Sequence, residues 1–201
     1  PRSTLLCYTT LFRSASLEIP VDPYNAFRCD VPNLSTSLYF VVNDAFYNKG
    51  LPQAHLPENV IVGSIREYSD IAAKYYAKLA HTSDDAVTAL NTMLAQDGLF
   101  VYVPKNVKVE RAIQVINILR SDVDLMVNRR VLIVLEANAE IKMLFCDHAA
   151  DDRKFLATQV IEAYVGENAS LDLYCLEETH AKNVRVSNVY IDQQRDSRVN
   201  H

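Results

Sequence analysis

The spacing of apolar positions changes character near residue 98. Before that point, residues 17–60 hold no sustained period, because Pro20, Pro23, Pro32, Pro52 and Pro57 interrupt them, and proline suits neither a helix interior nor a central strand. The run 38–42 fits a short strand or the start of a helix, and its pattern does not choose between them. Further on, Ile65, Tyr68, Ile71, Ala72, Tyr75 and Leu79 recur at three- and four-residue steps and define one apolar helix face. Ser64 with Glu67 three residues later has the form of a capping box at its start. Thr82 and Asp85 form a second such pair, and Ala86, Leu90, Met93 and Leu94 continue a second helix. Gly98 is placed to stop that helix in a left-handed conformation. Tyr68 and Tyr75 read as packing residues rather than a ligand platform.

From Leu99 the pattern is one of short apolar runs at 100–103, 113–119, 131–135, 141–145, 160–165 and 171–176, rich in β-branched residues and separated by polar punctuation. These read as strands, with a brief turn at Ala150, Asp151 and Asp152. They also repeat. Residues 136–143 (EANAEIKM) align with 166–173 (GENASLDL), the Asn138-Ala139 and Asn168-Ala169 pairs standing 168 − 138 = 30 residues apart. A weaker copy puts Asn106 another 32 residues earlier. Self-similarity at this period marks a stacked solenoid, and units made only of strands fit a parallel β-helix. The predicted fold is therefore mainly β: a partial parallel β-helix over 99–201, preceded by a small α-containing N-terminal domain over 15–98. The offset also sets phase. Cys175 matches Phe145 in the series Ile141, Met143, Phe145, so it is expected to point into the core, with Cys146 on the opposite face.

Composition narrows the functional classes. With 49% hydrophobic and 22% charged residues the chain has enough apolar material for a packed core, which argues against disorder. A formal net charge of −5 and the lack of any basic tract argue against nucleic acid as a partner. No apolar run approaches the ~20 residues that span a bilayer, and no secretory segment is recognisable at the start of the sequence. Cys7, Cys29, Cys146 and Cys175 show no CxxC spacing and read as reduced thiols of a cytoplasmic protein. Four glycines leave no Gly-rich phosphate loop, and nucleophile-elbow and zinc-protease patterns are missing from the sequence. The first fourteen residues, PRSTLLCYTTLFRS, are similar to translated adapter sequence and are set aside as a non-native segment, 1–14. The sequence stops soon after the strand-like run 184–191, and both ends together suggest a piece of a longer protein.

The constellation with most chemistry is Cys146, Asp147, His148, Cys175, Glu178 and His180, which offers soft and borderline metal ligands on neighbouring coils. Opposite phases of the two thiols speak against a joint site, and both cysteines are expected to be structural. His148 and His180 are expected to cap turns or face solvent. Asp147, Asp151 and Asp152 could pass for paired catalytic carboxylates, but without a nucleophile partner they read as a solvated turn beside Arg153. Arg129 and Arg130 alternate in phase, so one should face outward, as an interface ion pair or, more simply, a surface charge. No catalytic, cofactor-binding or metal residue is assigned.

Four segments, Gln96–Glu110, Ile116–Glu136, Cys146–Arg153 and Gly166–Asn183, resemble SufD-type members of the SufB/SufD family of iron–sulfur cluster assembly scaffolds, and Phe27–Tyr47 resembles the N-terminal region of that family. The likeness runs in order along the chain from about residue 17. It implies a mostly helical N-terminal domain followed by a right-handed parallel β-helix. It further implies a cytoplasmic scaffold subunit, not an enzyme, that works with a SufB-like subunit and a SufC-like ATPase. The iron–sulfur cluster would be handled by the full complex rather than bound stably by these residues. The family's SufC-docking helices and its cluster-related histidine would lie beyond His201, so no family site is carried onto this sequence. Two other readings are a SufB-like paralogue that accepts sulfur on a thiol, and a β-helix carbohydrate enzyme such as a polysaccharide lyase or esterase. The last sits poorly with a sequence that has no tryptophan and no clear acid cluster.

Overall fold

A computed structural model of the chain describes residues 36–47, 56–81 and 85–201. Cys7, Cys29, Thr82 and the segment 1–14 fall outside them. Eleven strands are present among the described residues: β1 (Thr36–Val42), β2 (Ala45–Tyr47), β3 (Ile61–Ser64), β4 (Leu99–Val103), β5 (Ala112–Leu119), β6 (Leu125–Leu135), β7 (Glu140–Ala149), β8 (Phe155–Val165), β9 (Ser170–Glu178), β10 (Asn183–Gln193) and β11 (Arg198–Asn200). Two helices, α1 (Ser69–Ala72) and α2 (Ala86–Leu94), lie between β3 and β4.

The strands form two sheets, ordered β11-β9-β7-β5-β1-β2 and β10-β8-β6-β4-β3. All the pairings from β4 onward are parallel, and the repeat is visible in the register: Ile141 pairs with Leu171, and Val131 with Ile161. Each coil gives one strand to each sheet, which makes a β-solenoid of about three turns. Its core is the space between the sheets. Ile113, Val115, Ile141, Met143, Phe145, Leu171 and Leu173 fill it from one side, and Leu99, Val101, Val131, Ile133, Ile161 and Ala163 from the other. Alternation along each strand sends every second side chain inward.

The repeated asparagines make the corners. Asn106, Asn138 and Asn168 have φ of 64°, 59° and 57°, in the left-handed region that asparagine tolerates better than most residues. Their amides form a ladder across coils. Asn138 Nδ2 donates to Asn106 Oδ1 at 2.7 Å, and Asn168 Nδ2 to Asn138 Oδ1 at 2.8 Å. Asp196, with φ 58°, turns the next corner.

Before residue 98 the structure settles one choice that the pattern left open and departs from the sequence expectation in three places. The ambiguous run 38–42 is a strand, β1, and pairs in parallel with β5 (Thr36 beside Ala112, Val42 beside Ile118). It belongs to the solenoid rather than to a helical domain, because Tyr39 and Val41 enter the core while Phe40 packs on the outer face. The first predicted helix is only the single turn α1. Ala77 takes a left-handed φ of 57°, and the amides of Ala77, Leu79 and Ala80 bond to Glu162 instead of continuing the helix. In the first capping pair Ser64 Oγ does accept from Arg66 N and Glu67 N at 3.1 and 3.3 Å, but the companion carboxylate is Asp97, whose Oδ1 accepts from the Ser64 hydroxyl at 2.6 Å. Helix α2 is capped by Asp85 itself, whose Oδ1 accepts from Thr88 N at 2.7 Å.

Two further details of α2 differ. The helix ends at Leu94 with an extended Ala95, and Gly98 is not left-handed. Gly98 is required for closeness instead: a Cβ there would stand 2.2 Å from the Arg130 carbonyl oxygen. The face that α2 buries is polar, Thr88 and Asn91, whereas Met93 is 70% exposed. Asn91 Nδ2 donates to Arg129 O and Thr158 Oγ1 at 2.9 and 3.0 Å, and Thr158 Oγ1 to Asn128 Oδ1 at 2.9 Å. Polar residues of β6 and β8 thus replace the apolar seam that the periodicity suggested. The rest of the excursion covers the outer face of the second sheet with Ala72, Tyr68, Tyr75 and Tyr76 over Phe100, Leu132 and Val134.

Candidate functional site

Inside the solenoid the apolar stacks give way to one polar layer. Asn117, Asp147 and Glu177 are register neighbours on β5, β7 and β9, at the inward phase set by Val115 and Phe145. Facing them, Arg129, Gln159 and Ser187 are neighbours on β6, β8 and β10. Strands about 4.8 Å apart stack these side chains directly. Arg129 Nη1 forms an ion pair with Asp147 Oδ1, and Arg129 Nε donates to the Asn43 carbonyl at 2.8 Å. Asp147 Oδ2 faces Arg185 Nη1 at 3.1 Å in an ion pair without hydrogen-bond alignment, and the same Nη1 stands 3.6 Å from Glu177 Oε2. The side chains of Arg129 and Asp147 are 3% and 1% exposed, against 15% for Arg185 and 48% for Glu177. The charges therefore run from a sealed pair to an accessible one. Burial lowers the Arg129 pKa from its ordinary value, with Asp147 opposing that shift and Arg185 adding to it. Removing one partner of such a pair costs about 3–5 kcal/mol.

A second pair sits one residue away with the opposite orientation. Arg130 Nη2 bonds Glu162 Oε2 at 2.5 Å on the outer face of the second sheet, and both side chains are fully buried by the helical excursion. Glu162 also accepts the backbone N–H groups of Ala77, Leu79 and Ala80 at 2.9, 2.9 and 3.0 Å. Burial pushes its carboxyl up, but the Ala80 amide, the Arg130 guanidinium and the Ala77 amide outweigh burial and hold it below the usual carboxylate value. Arg130 donates from Nη1 to Thr92 Oγ1 at 2.9 Å and lies 4.6 Å over the Tyr76 ring. The expectation that one of the two arginines is a surface charge is thus corrected. One enters the core, and the other is roofed by a segment whose path short-range periodicity did not reveal.

The six residues of the metal-like constellation do not converge. Cys146 points outward into an apolar cluster with Phe40, Ile116, Ile118 and Leu144, and accepts from Gln114 Nε2 at 3.6 Å. Asp147 is in the inner layer rather than in the solvated turn expected for it. His148 Nδ1 faces Glu178 Oε2 at 3.4 Å on the outer face. His180 does cap a turn: its Nε2 is 2.7 Å from Asp151 O, and its Nδ1 accepts from Lys182 N at 3.3 Å. Asp151 accepts from Ser121 N and Arg153 N, and Asp152 pairs with Lys182, as turn residues do. Cys175 has the predicted inward phase and is exposed among the described residues. Its sulfur lies against the inner layer, where burial outweighs the Arg185 guanidinium and raises the thiol above its ordinary value. Among the described residues no group of three or more His, Cys, Asp and Glu side chains is placed to hold a metal ion.

Sequence reasoning missed Gln159, Glu162 and Arg185. The thirty-residue offset contains a signal for the first, since it aligns Gln159 with Arg129 at an inward position. Glu162 announces itself only as a lone charge in the run 160–165.

Comparison with known proteins gives one consistent family. Residues 8–115 match the SufBD protein N-terminal region, and residues 117–201 match the SufBD core domain of the SUF iron–sulfur cluster assembly system. The chain is 31% identical over 163 residues to the iron–sulfur cluster assembly protein SufD of Bacillus subtilis, covering 78% of this chain and 37% of that protein. It is 30% identical over 122 residues to a chloroplastic SufBD family protein of Arabidopsis thaliana, covering 59% and 21% respectively. A SufBD family protein of Pyrococcus horikoshii is 27% identical over 115 residues, covering 57% and 26%. The chain thus spans between about a fifth and two fifths of the length of these relatives.

Proposed function

The chain belongs to the SufBD family of iron–sulfur cluster assembly proteins, and from that premise we propose that it is part of a SufD-type scaffold subunit, acting with a SufB-like subunit and a SufC-like ATPase. The observation that carries this reading is the coincidence of the SufBD core match, 117–201, with the stacked coils from β6 onward. A rigid solenoid whose charges are paired internally suits a subunit that holds partners in place rather than one that turns over a substrate. The iron–sulfur cluster is then cargo of the assembled complex, and no enzymatic step is assigned to these residues. We take the compartment to be the cytoplasm. No described helix is long and apolar enough to cross a membrane.

Co-expression of the full-length protein with its SufB-like and SufC-like neighbours, followed by the mass of the species that co-purifies, tests the proposal. A stoichiometric three-component complex is expected. A protein with affinity for neither partner would refute the scaffold role. Sulfur transfer from a desulfurase onto Cys175, the exposed thiol, would instead favour the SufB-like role.

A further inference from the structure

The inner layer holds more polar atoms than the described residues satisfy. Gln159 is 1% exposed, and among the described residues neither Nε2 nor Oε1 of its amide has a hydrogen-bond partner. Flipping the amide would not help, since both ends are equally bare. Arg129 Nη2 and Arg185 Nε are buried and without a hydrogen-bond partner as well. These groups belong to one patch. Arg129 is the register neighbour of Gln159, and Arg185 stands beside Ala157, two residues along the same inward phase. The other two inward positions of the patch carry small side chains, Ala157 and Ser187.

We propose that this layer is an internal hydration site, in which ordered water molecules bridge Arg129, Gln159 and Arg185. The chemistry selects water over an ion. Two guanidiniums face two carboxylates, Asp147 and Glu177, and the Asp44 carboxylate also acts on Arg129, so no positive excess is left to hold an anion. A cation would meet three donors: Arg129 Nη2, Arg185 Nε and Gln159 Nε2. Water alone supplies acceptors to those three and a donor to Gln159 Oε1. Buried waters characteristically make about three hydrogen bonds to groups that are otherwise unsatisfied, and buried polar groups in folded proteins nearly always find such partners. A polar neighbourhood of this kind also offsets part of the desolvation that burial imposes on an ion pair such as Arg129–Asp147.

The test is a crystal structure of the full-length protein at a resolution that shows solvent, with a second crystal soaked in bromide. Ordered waters within hydrogen-bond distance of the Gln159 amide and of Arg129 Nη2 are expected, with no anomalous peak in the layer. Gln159→Leu should lose the water that bridges residue 159 while the Arg129–Asp147 pair stays in place. A dry layer in which the Gln159 amide bonds directly to protein atoms would overturn the proposal, as would an anomalous bromide peak between the guanidiniums. If the leucine variant does not fold, the two wild-type crystals still decide. None of these outcomes depends on the scaffold reading.

Discussion

Glu162 accepts three backbone amides of the helical excursion and pairs with Arg130 beneath it, and Glu162→Gln isolates its charge. The substitution keeps the size of the side chain but leaves Arg130 buried, with its Nη2 donor facing an amide instead of a carboxylate. Breaking a buried pair from one side costs about 3–5 kcal/mol, and converting one acceptor oxygen to a donor sets it against the Ala77 amide or the paired amides of Leu79 and Ala80. Urea denaturation of the full-length protein should register a loss in that range. Hydrogen exchange should report its origin, with protection falling first at Ala77, Leu79 and Ala80. Arg130→Met combined with Glu162→Gln removes the stranded charge and should be less damaging than the sum of the single variants by at least ~1 kcal/mol. The pH dependence follows from the lowered carboxyl of Glu162. A group whose folded pKa is depressed contributes stability above its unfolded pKa and loses it as pH falls through the folded value. The gap between wild type and Glu162→Gln should therefore close in acid, below the ordinary glutamate range. Strict additivity of the two substitutions, or unchanged exchange at the three amides, would refute the latch.

Gly98→Ala should destabilise by about 1–3 kcal/mol in thermal melts, because its Cβ would overlap the Arg130 carbonyl of the adjoining strand. Asn138→Ala should lower stability by about 1–2 kcal/mol through its left-handed backbone and the broken amide ladder, while Asn138→Gly, which relieves the backbone strain, should lose less. In the 201-residue chain, thiol alkylation under native conditions should label Cys175 and spare Cys146 until the chain unfolds. The Cys175 rate should keep rising above the pH at which an ordinary free thiol levels off.

Much of the solenoid is legible in the sequence because its repeat is carried by local chemistry. Asparagine at the left-handed corner and β-branched residues between corners recur at a fixed spacing, and that spacing alone predicted the pairing of Phe145 with Cys175. Elements that depend on distant partners were not legible. The run 38–42 becomes a strand because β5 offers it an edge. The helix expected across 65–79 is cut short, and toward its far end Glu162, more than eighty residues away, captures the amides of Ala77, Leu79 and Ala80. For the same reason α2 buries Thr88 and Asn91: their partners are carbonyls and hydroxyls of strands that only folding brings near. In the inner layer, phase located Asp147 and Arg129, but no local pattern says that a charge at an inward position will meet its opposite across the core.

The parallel pairing of β1 with β5 sets an order of events during synthesis. Successive coils close over about thirty residues, whereas Thr36 must wait for Ala112, 112 − 36 = 76 residues later. By the logarithmic cost of loop closure, that difference adds only ~1 kcal/mol, so the finished protein barely registers it. A ribosome adding roughly 5–20 residues per second leaves β1 with only β2 beside it for about 4–15 s. During that interval Tyr39, Phe40 and Val41 stand on a two-stranded hairpin with one open edge, and a hairpin of that kind is marginally stable on its own. The strand that leads the described fold thus gains its second neighbour only when β5 has emerged.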